Sequence, residues 1–403
     1  MQPTDASRGR PARRPLPKGF WPIWTTVALD LIGFGIVVPI LALYAKRFGA
    51  SGLTVGMLFT AFSLAQFLAA PLLGRLSDRI GRKPVIVISL LGTAVGSVLT
   101  GAANGLWLLF AGRIIDGGSG GSLAVAQAAV ADLAEPSDRP RLMGLLGAAF
   151  GVGFVVGPAI GGLASLGGAH VPFYVAGALA AANAVAAWIR VPETAKTHAT
   201  GAEHPGGSAR RALNPTLGRL ALVGFVTTVA FTAFEATFSL LGERRFGLTQ
   251  SGAAVVFLCI GLVLVVVQGG LYGRLVERFG TRRTYLTGLV LLATGLAVTA
   301  GSTRWVVLVV ALLLLTVGQG MASPSLTSLV TDHSPMRQRG QAMGYQQSAA
   351  AVGRILGPPG AGWLFDHAAT WAPFLVAAVL CAAMLIPAGA VDSVDPHAVP
   401  APS

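Results

Sequence analysis

The chain has 403 residues, of which 53% are apolar and only 11% charged, against roughly 25% charged residues in a soluble domain. So little charge cannot clothe a water-exposed surface, and so apolar a chain is not intrinsically disordered. The solvent is therefore lipid, and the net charge of +13, which on a soluble protein would point to nucleic acid, becomes a question of which side of a bilayer the bases occupy.

Residues 1–20 hold Arg8, Arg10, Arg13 and Arg14 among Pro11, Pro15 and Pro17, and predict a disordered basic tail. The apolar run that follows is too long for a cleaved signal, contains Asp30, and is one of many. Six spans are expected at about 21–45, 54–76, 84–103, 107–131, 141–164 and 171–190, forming an N-terminal bundle over 21–190. A polar Pro/Gly/Ser/His linker, 191–215, separates them from six more at about 216–243, 250–273, 284–301, 304–330, 340–365 and 371–390. These make a C-terminal bundle over 216–390, followed by a tail, 391–403. Twelve spans of ~20 residues use ~240 and leave little for a soluble domain. Cys259 and Cys381 lie inside apolar runs, with no disulfide framework and no metal spacing.

With the N-terminus in the cytoplasm, 22 of the 29 Lys and Arg residues fall on the cytoplasmic side. Lys46, Arg47, Arg244, Arg245 and Arg304 fall outside, and Arg113 and Arg354 lie within spans. The positive-inside rule thus predicts both termini in the cytoplasm, and the composition, with Arg far above Lys, points to the inner membrane of a GC-rich bacterium.

The halves repeat. GRLSDRIGRK at 74–83 returns as GRLVERFGTRR at 273–283, and Gly144, Gly153, Gly157, Pro158 and Gly162 return as Gly344, Gly353, Gly357, Pro358 and Gly362. Parallel repeats around a midplane site are a transporter plan.

Charges inside spans are costly in lipid and point to function. Asp30 lies near the middle of span 1; it is a proton carrier, or else a neutral acid or one paired with a base to hold helices together. Arg113 and Asp116, three residues apart in span 4, share a helical face and either neutralise one another or form part of a proton site. Glu235 in span 7 and Arg354 in span 11 face a central cavity or bridge each other; Arg354 stands where the first repeat has Phe154. Gln127, Gln319, Gln346 and Gln347 offer hydrogen bonds to a ligand or to neighbouring helices. Phe59, Phe62, Phe67, Phe231, Phe234 and Phe238 line a greasy pocket, or else lipid or core. In span 5, Gly147 and Gly151, then Gly153, Gly157, Pro158, Gly161 and Gly162, allow close helix approach and a bend at the proline. The run Gly117–Ser122 lacks the Lys-Ser/Thr and flanking strand of a phosphate loop and is read as helix packing. No nucleotide motif, metal spacing or hydrolytic triad is present, so neither an ATP-driven pump nor an enzyme is expected, and no cofactor.

The loop Gly74, Asp78, Arg79, Gly81, Arg82 and Lys83, its second copy, the G-x-x-x-G-P-x-x-G-G string of span 5 and the repeat together resemble the major facilitator superfamily, over nearly all of 20–390. The D-x-x-G-x5-P of span 1, and the stretch from Ala131-Asp132-Leu133 through Arg139, are similar to its drug:proton antiporters, the tetracycline and multidrug exporters. The resemblance implies an all-α integral membrane fold, twelve transmembrane helices in two six-helix pseudo-symmetric bundles. It implies export of small amphipathic compounds of the drug or antibiotic class in exchange for protons, by alternating access, from a chain functional as a monomer. It also implies a latch, with Asp78 facing a second-half helix near 340 in the outward-facing state and Arg82 paired with Asp132. Family members carry an Arg near the start of span 4 thought to assist proton transfer; here Asp116 departs from a position usually uncharged. Asp30, Arg113 and Asp116 become the proton-coupling set, and Gln127, Glu235, Gln319, Gln346 and Arg354 the substrate cavity. Span 5 argues against a proton-coupled symporter or facilitator of a metabolite such as a sugar or organic acid, and a non-transporting sensor would need an added soluble domain.

Overall fold

A computed structural model describes residues 16–135, 138–194, 215–334 and 338–391. Most of the basic tail, the linker and the C-terminal tail lie outside them. The described chain is helical, with no strand, as lipid demands of a backbone that must satisfy its own polar groups. Ten helices are long and apolar enough to cross a membrane.

In the first half the helices are α1 (Phe20–Lys46), α2 (Gly52–Ile80), α3 (Arg82–Gly101), α4 (Leu106–Ser119) with α5 (Ser122–Leu133), α6 (Arg139–Ala164) and α7 (Val171–Arg190); all but the broken α4–α5 are among the ten, and the stretch 339–367 of the second half is the other exception. The second half has α8 (Pro215–Phe246), α9 (Gln250–Val266) running through a π turn at Val267–Leu271 into α10 (Tyr272–Phe279), α11 (Thr281–Gly301), α12 (Trp305–Asp332), α13 (Arg339–His367), and α14 (Ala372–Ala383) with α15 (Leu385–Gly389). Three expected spans are therefore interrupted. Span 4 breaks at Gly120–Gly121, span 8 carries the π turn, and span 12 turns at Met384. The glycines explain the first break, because a run without side chains cannot hold a helix against a better local arrangement.

The span-5 glycines set the packing. A methyl on Gly157 would lie 2.6 Å from Gly35 Cα, one on Gly153 2.7 Å from the Leu31 carbonyl, and one on Gly161 2.9 Å from that of Ile36, so α6 lies backbone-to-backbone on α1. Gly162 and Gly151 meet Ala254 and Val265 of α9. The repeat does the same in the second half: Gly353 and Gly357 pack on α8, and Gly362 packs on Gly52 and Leu53 of α2. Each half thus lends one helix to a seam with the other, α6 against α9 and α13 against α2. Replacing Gly157 with Leu forces α1 and α6 apart; overpacking at the upper end of the usual range, about 3 kcal/mol, is expected to lower the melting temperature of detergent-purified protein. An unchanged melting curve would show that the contact is dispensable.

The seams close towards one end only. The Asp366 carboxylate accepts from the Gly52 and Leu53 amides at 2.8 and 2.7 Å, Thr60 donates to the Ile355 carbonyl at 2.8 Å, and Ser165 meets Ser251 at 2.8 Å. Ser239 donates to the Pro39 carbonyl at 3.0 Å, and Lys46 pairs with Glu243. Every hydrogen bond described between the halves lies at this end. At the other end, which carries both copies of the basic loop, the last turns of α2, most of the π turn and the start of α13 are largely exposed. The structure is a V with its mouth at the loops.

Candidate functional site

The break in span 4 builds the first half of the site. The Gly120 carbonyl, released from the helix, accepts from Gln66 Nε2 of α2 at 3.1 Å. The break also makes Ser122 the first residue of α5, and its hydroxyl donates to Asp30 Oδ2 at 2.6 Å. Asp30 is half-buried on the mouth side of α1. On α4, Arg113 Nη1 donates to Asp116 Oδ2 at 2.7 Å, with Arg113 only 3% and Asp116 8% exposed. The guanidinium lies over the Phe62 ring, 4.1 Å from its centroid, a cation–π contact from α2. Arg113 Nε, also buried, has no partner. Asp116 stands close enough for its charge to act on Asp30. Three charges and a hydroxyl from α1, α4 and α5 therefore form one cluster.

At the mouth, Gly81 takes φ +105°, a left-handed turn suited to glycine, between α2 and α3. This aims Arg82 back along the loop: its Nε donates to Asp132 Oδ2 at 3.0 Å, and its Nη1 to Asp78 Oδ1 and Ser77 Oγ, both at 2.6 Å. Asp78 is largely exposed and bonded within its own loop, away from the region near 340, because the mouth is open. Arg79 is exposed, and Gly74 has open space around it. Glu193, after α7, accepts from the Arg82 amide at 2.8 Å and so caps α3.

In the second half, Glu235 on α8 and Arg354 on α13 are both half-buried, and neither has a hydrogen bond or ion pair among the described residues. Gln346 has a buried Oε1 without a partner, Gln319 is half-buried, and Gln127 is exposed. The phenylalanines divide. Phe234 and Phe238 are core, in tilted and edge-to-face contact with Phe257 and Phe374, while Phe67 is exposed.

With this architecture in view, the family comparison is direct: the description of the Major Facilitator Superfamily matches residues 23–272 and again 269–403. The chain belongs to this superfamily. It is a multi-pass membrane protein of the major facilitator fold, with two pseudo-symmetric six-helix bundles. Among superfamily members it is 32% identical to the tetracycline resistance protein, class C, of Escherichia coli, over 83% of this chain and 86% of that one. It is 28% identical to multidrug resistance protein 2 of Bacillus subtilis (strain 168), over 85% and 87%. Among solved structures, the human organic anion transporter MFSD10 aligns with a TM-score of 0.70 at 25% identity, covering 94% of this chain and 100% of that one. The nucleoside transporter NupG aligns at 0.79 and 15% identity, covering 92% and 99%, a likeness of fold alone.

Four contributors escape sequence reasoning: Ser122 and Gln66 around the superfamily member's buried charges, Glu193 at the loop, and Asp366 at the closed end; Phe62 is expected to line a pocket, lipid or core, and its place under the Arg113 guanidinium is not foreseen. For Ser122 and Gln66 the usable signal was the glycine run that breaks span 4, since a broken helix leaves polar groups needing partners.

Proposed function

We propose that this protein exports small amphipathic compounds of the drug or antibiotic class in exchange for protons, by alternating access. The observation that carries the reading is the Asp30–Ser122 contact beside the Arg113–Asp116 pair: a half-buried carboxylate within the membrane, held by one neutral hydroxyl. Such a group can gain and lose a proton without dismantling the fold. The tetracycline and multidrug resistance proteins among its relatives support the same class of cargo.

The distribution of Lys and Arg supports a cytoplasmic side for both termini and the basic loops, with the mouth facing inward and the seams sealing the outside. In this state Asp30 gives its proton to the cytoplasm and cargo enters. The halves then rock about the seams α6–α9 and α2–α13, the mouth closes, and cargo leaves as Asp30 is protonated from outside. Arg82, held by Asp78 and Asp132, with Gly74, Arg79 and Gly81 shaping the turn, keeps the loop ready to latch against the second half when the mouth closes. The glycines Gly153, Gly157, Gly161 and Gly162, with Pro158, keep α6 against α1 through the motion. The drive is the proton gradient, ~2.3 kcal/mol per charge per 100 mV plus the pH difference. One chain holds both halves and serves as the functional unit.

Everted vesicles loaded with a panel of amphipathic cations and antibiotics test this. Substrate-induced proton movement is expected in the parent protein and lost in Asp30→Asn, at unchanged protein level. Export that survives an uncoupler would refute the energy source, and coupled export by Asp30→Asn would refute the role of Asp30.

A further inference from the structure

The charges of the two halves are treated differently. In the first half each intramembrane charge is already answered: Asp30 by Ser122, and Arg113 by Asp116 and the Phe62 face. In the second half Glu235 and Arg354 are answered by nothing, although each lies within the other's field and each keeps part of its surface open. An ion pair between them would be the simplest relief for two charges held within a membrane, and the fold does not make it.

The seam geometry explains why. Gly353 packs on Phe225 and Thr228, and Gly357 on Val229 and Thr232. The two helices run parallel, so Arg354 stands level with residue 228 or so, seven residues short of Glu235. At 1.5 Å per residue this is about 10 Å along the axis. Arg354 is nearer the mouth and Glu235 nearer the closed end. Two further turns towards the mouth, Gln346 holds a buried carbonyl oxygen that also lacks a partner. Fold requirements do not call for the arginine, since the first repeat has Phe154 there, with its backbone packed on Gly261 of the seam.

We infer that Glu235 and Arg354 form a two-point site for zwitterionic amphiphiles, the ligand's cationic centre at Glu235 and its anionic centre at Arg354. The ligand completes the ion pair that the fold leaves open, and the axial offset of the two residues, about 10 Å, gives the scale of its charge separation. A ligand with one charge answers one residue and leaves the other unpaired in a desolvated site, so the site discriminates against simple cations and simple anions. Proton traffic and cargo binding then occupy different halves. The inference rests on the exporter reading and narrows its substrate class.

The test uses three fluorescent dyes on the full chain in detergent: rhodamine B, a zwitterion; its ethyl ester, a cation; and fluorescein, an anion. Fluorescence anisotropy gives the Kd of each, and everted vesicles give proton-coupled export. Parent protein is expected to bind rhodamine B at least tenfold more tightly than either of the others. Arg354→Gln is expected to bring rhodamine B and its ester to equal affinity, and Glu235→Gln to bring rhodamine B level with fluorescein. Equal affinity of the parent protein for the three dyes, or none for rhodamine B, overturns the inference and needs no variant to fold. Unaltered charge preference in both variants also overturns it. Coupled export without charge preference sinks this inference alone, whereas export that ignores the proton gradient sinks the exporter reading instead.

Discussion

Arg113→Met is expected to be the most damaging single substitution in the membrane interior. It leaves Asp116, 8% exposed and three residues away, as a buried carboxylate without its base, a change that typically costs 3–5 kcal/mol. The purified variant should melt far below the parent protein, or fail to accumulate. The double variant Arg113→Met/Asp116→Met removes both charges, and apolar replacement of a buried pair is often neutral, so its melting temperature should return to near the parent value. Substrate-induced proton release, measured on the same preparation in vesicles, should remain absent from the double variant. Recovered stability together with recovered coupling would make the pair a structural strut and leave Asp30 as the sole proton carrier. Failure of the double variant to regain stability would show that the Phe62 contact matters more than the pair.

The second large effect is expected at the closed end. Asp366 reaches across from the second half to cap the first amides of α2, which otherwise have only Ser51 as a local cap, at the Thr54 amide. Asp366→Ala removes two charge-assisted bonds in a partly exposed place, together worth roughly 1–2 kcal/mol. The loss falls only on the state in which α2 and α13 touch. Because 1.4 kcal/mol is about a tenfold change in an equilibrium constant, the outward-open population should rise about five- to thirtyfold. Spin labels at Ala50→Cys and Ala368→Cys, in a background with Cys259 and Cys381 replaced by Ser, read this directly as growth of a longer distance. An unchanged distance distribution would mean that the Gly362–Gly52 packing and the Lys46–Glu243 pair hold the end shut without Asp366.

What the sequence made legible was whatever depends on local pattern. Span count follows from apolar length, the loop from its charges and glycines, and close helix packing from the span-5 glycines and their repetition at 353, 357 and 362, although not which helices they meet. Arg82 and Asp132 were within reach of motif reasoning, since both are polar groups at neighbouring helix ends. Polar partners brought together only by the tertiary fold were illegible: the amides capped by Asp366 are 314 and 313 residues from it in the chain. Phe234 and Phe238 show a different limit. On an apolar helix a cavity-lining ring and a core ring have the same composition, and only the neighbours Phe257 and Phe374 tell them apart. Arg113 and Asp116 could be paired from their spacing, while the ring beneath the guanidinium comes from another helix altogether.

The π turn at Val267–Leu271 records a length mismatch between the halves. From the capping Ser51 to Gly74 of the first loop is 23 residues, and from the capping Thr249 to Gly273 of its copy is 24. A single inserted residue in a continuous α-helix would swing everything beyond it by about 100°, sending Arg274 and Glu277 to the wrong flank. A π turn is the conformation that swallows one residue while the helix goes on. Past it, Gly280 leaves at φ +80° and ψ 157°, much as Gly81 leaves at +105° and 157°. The extra residue is therefore absorbed inside the membrane, not in the loop, and both hairpins face the same way.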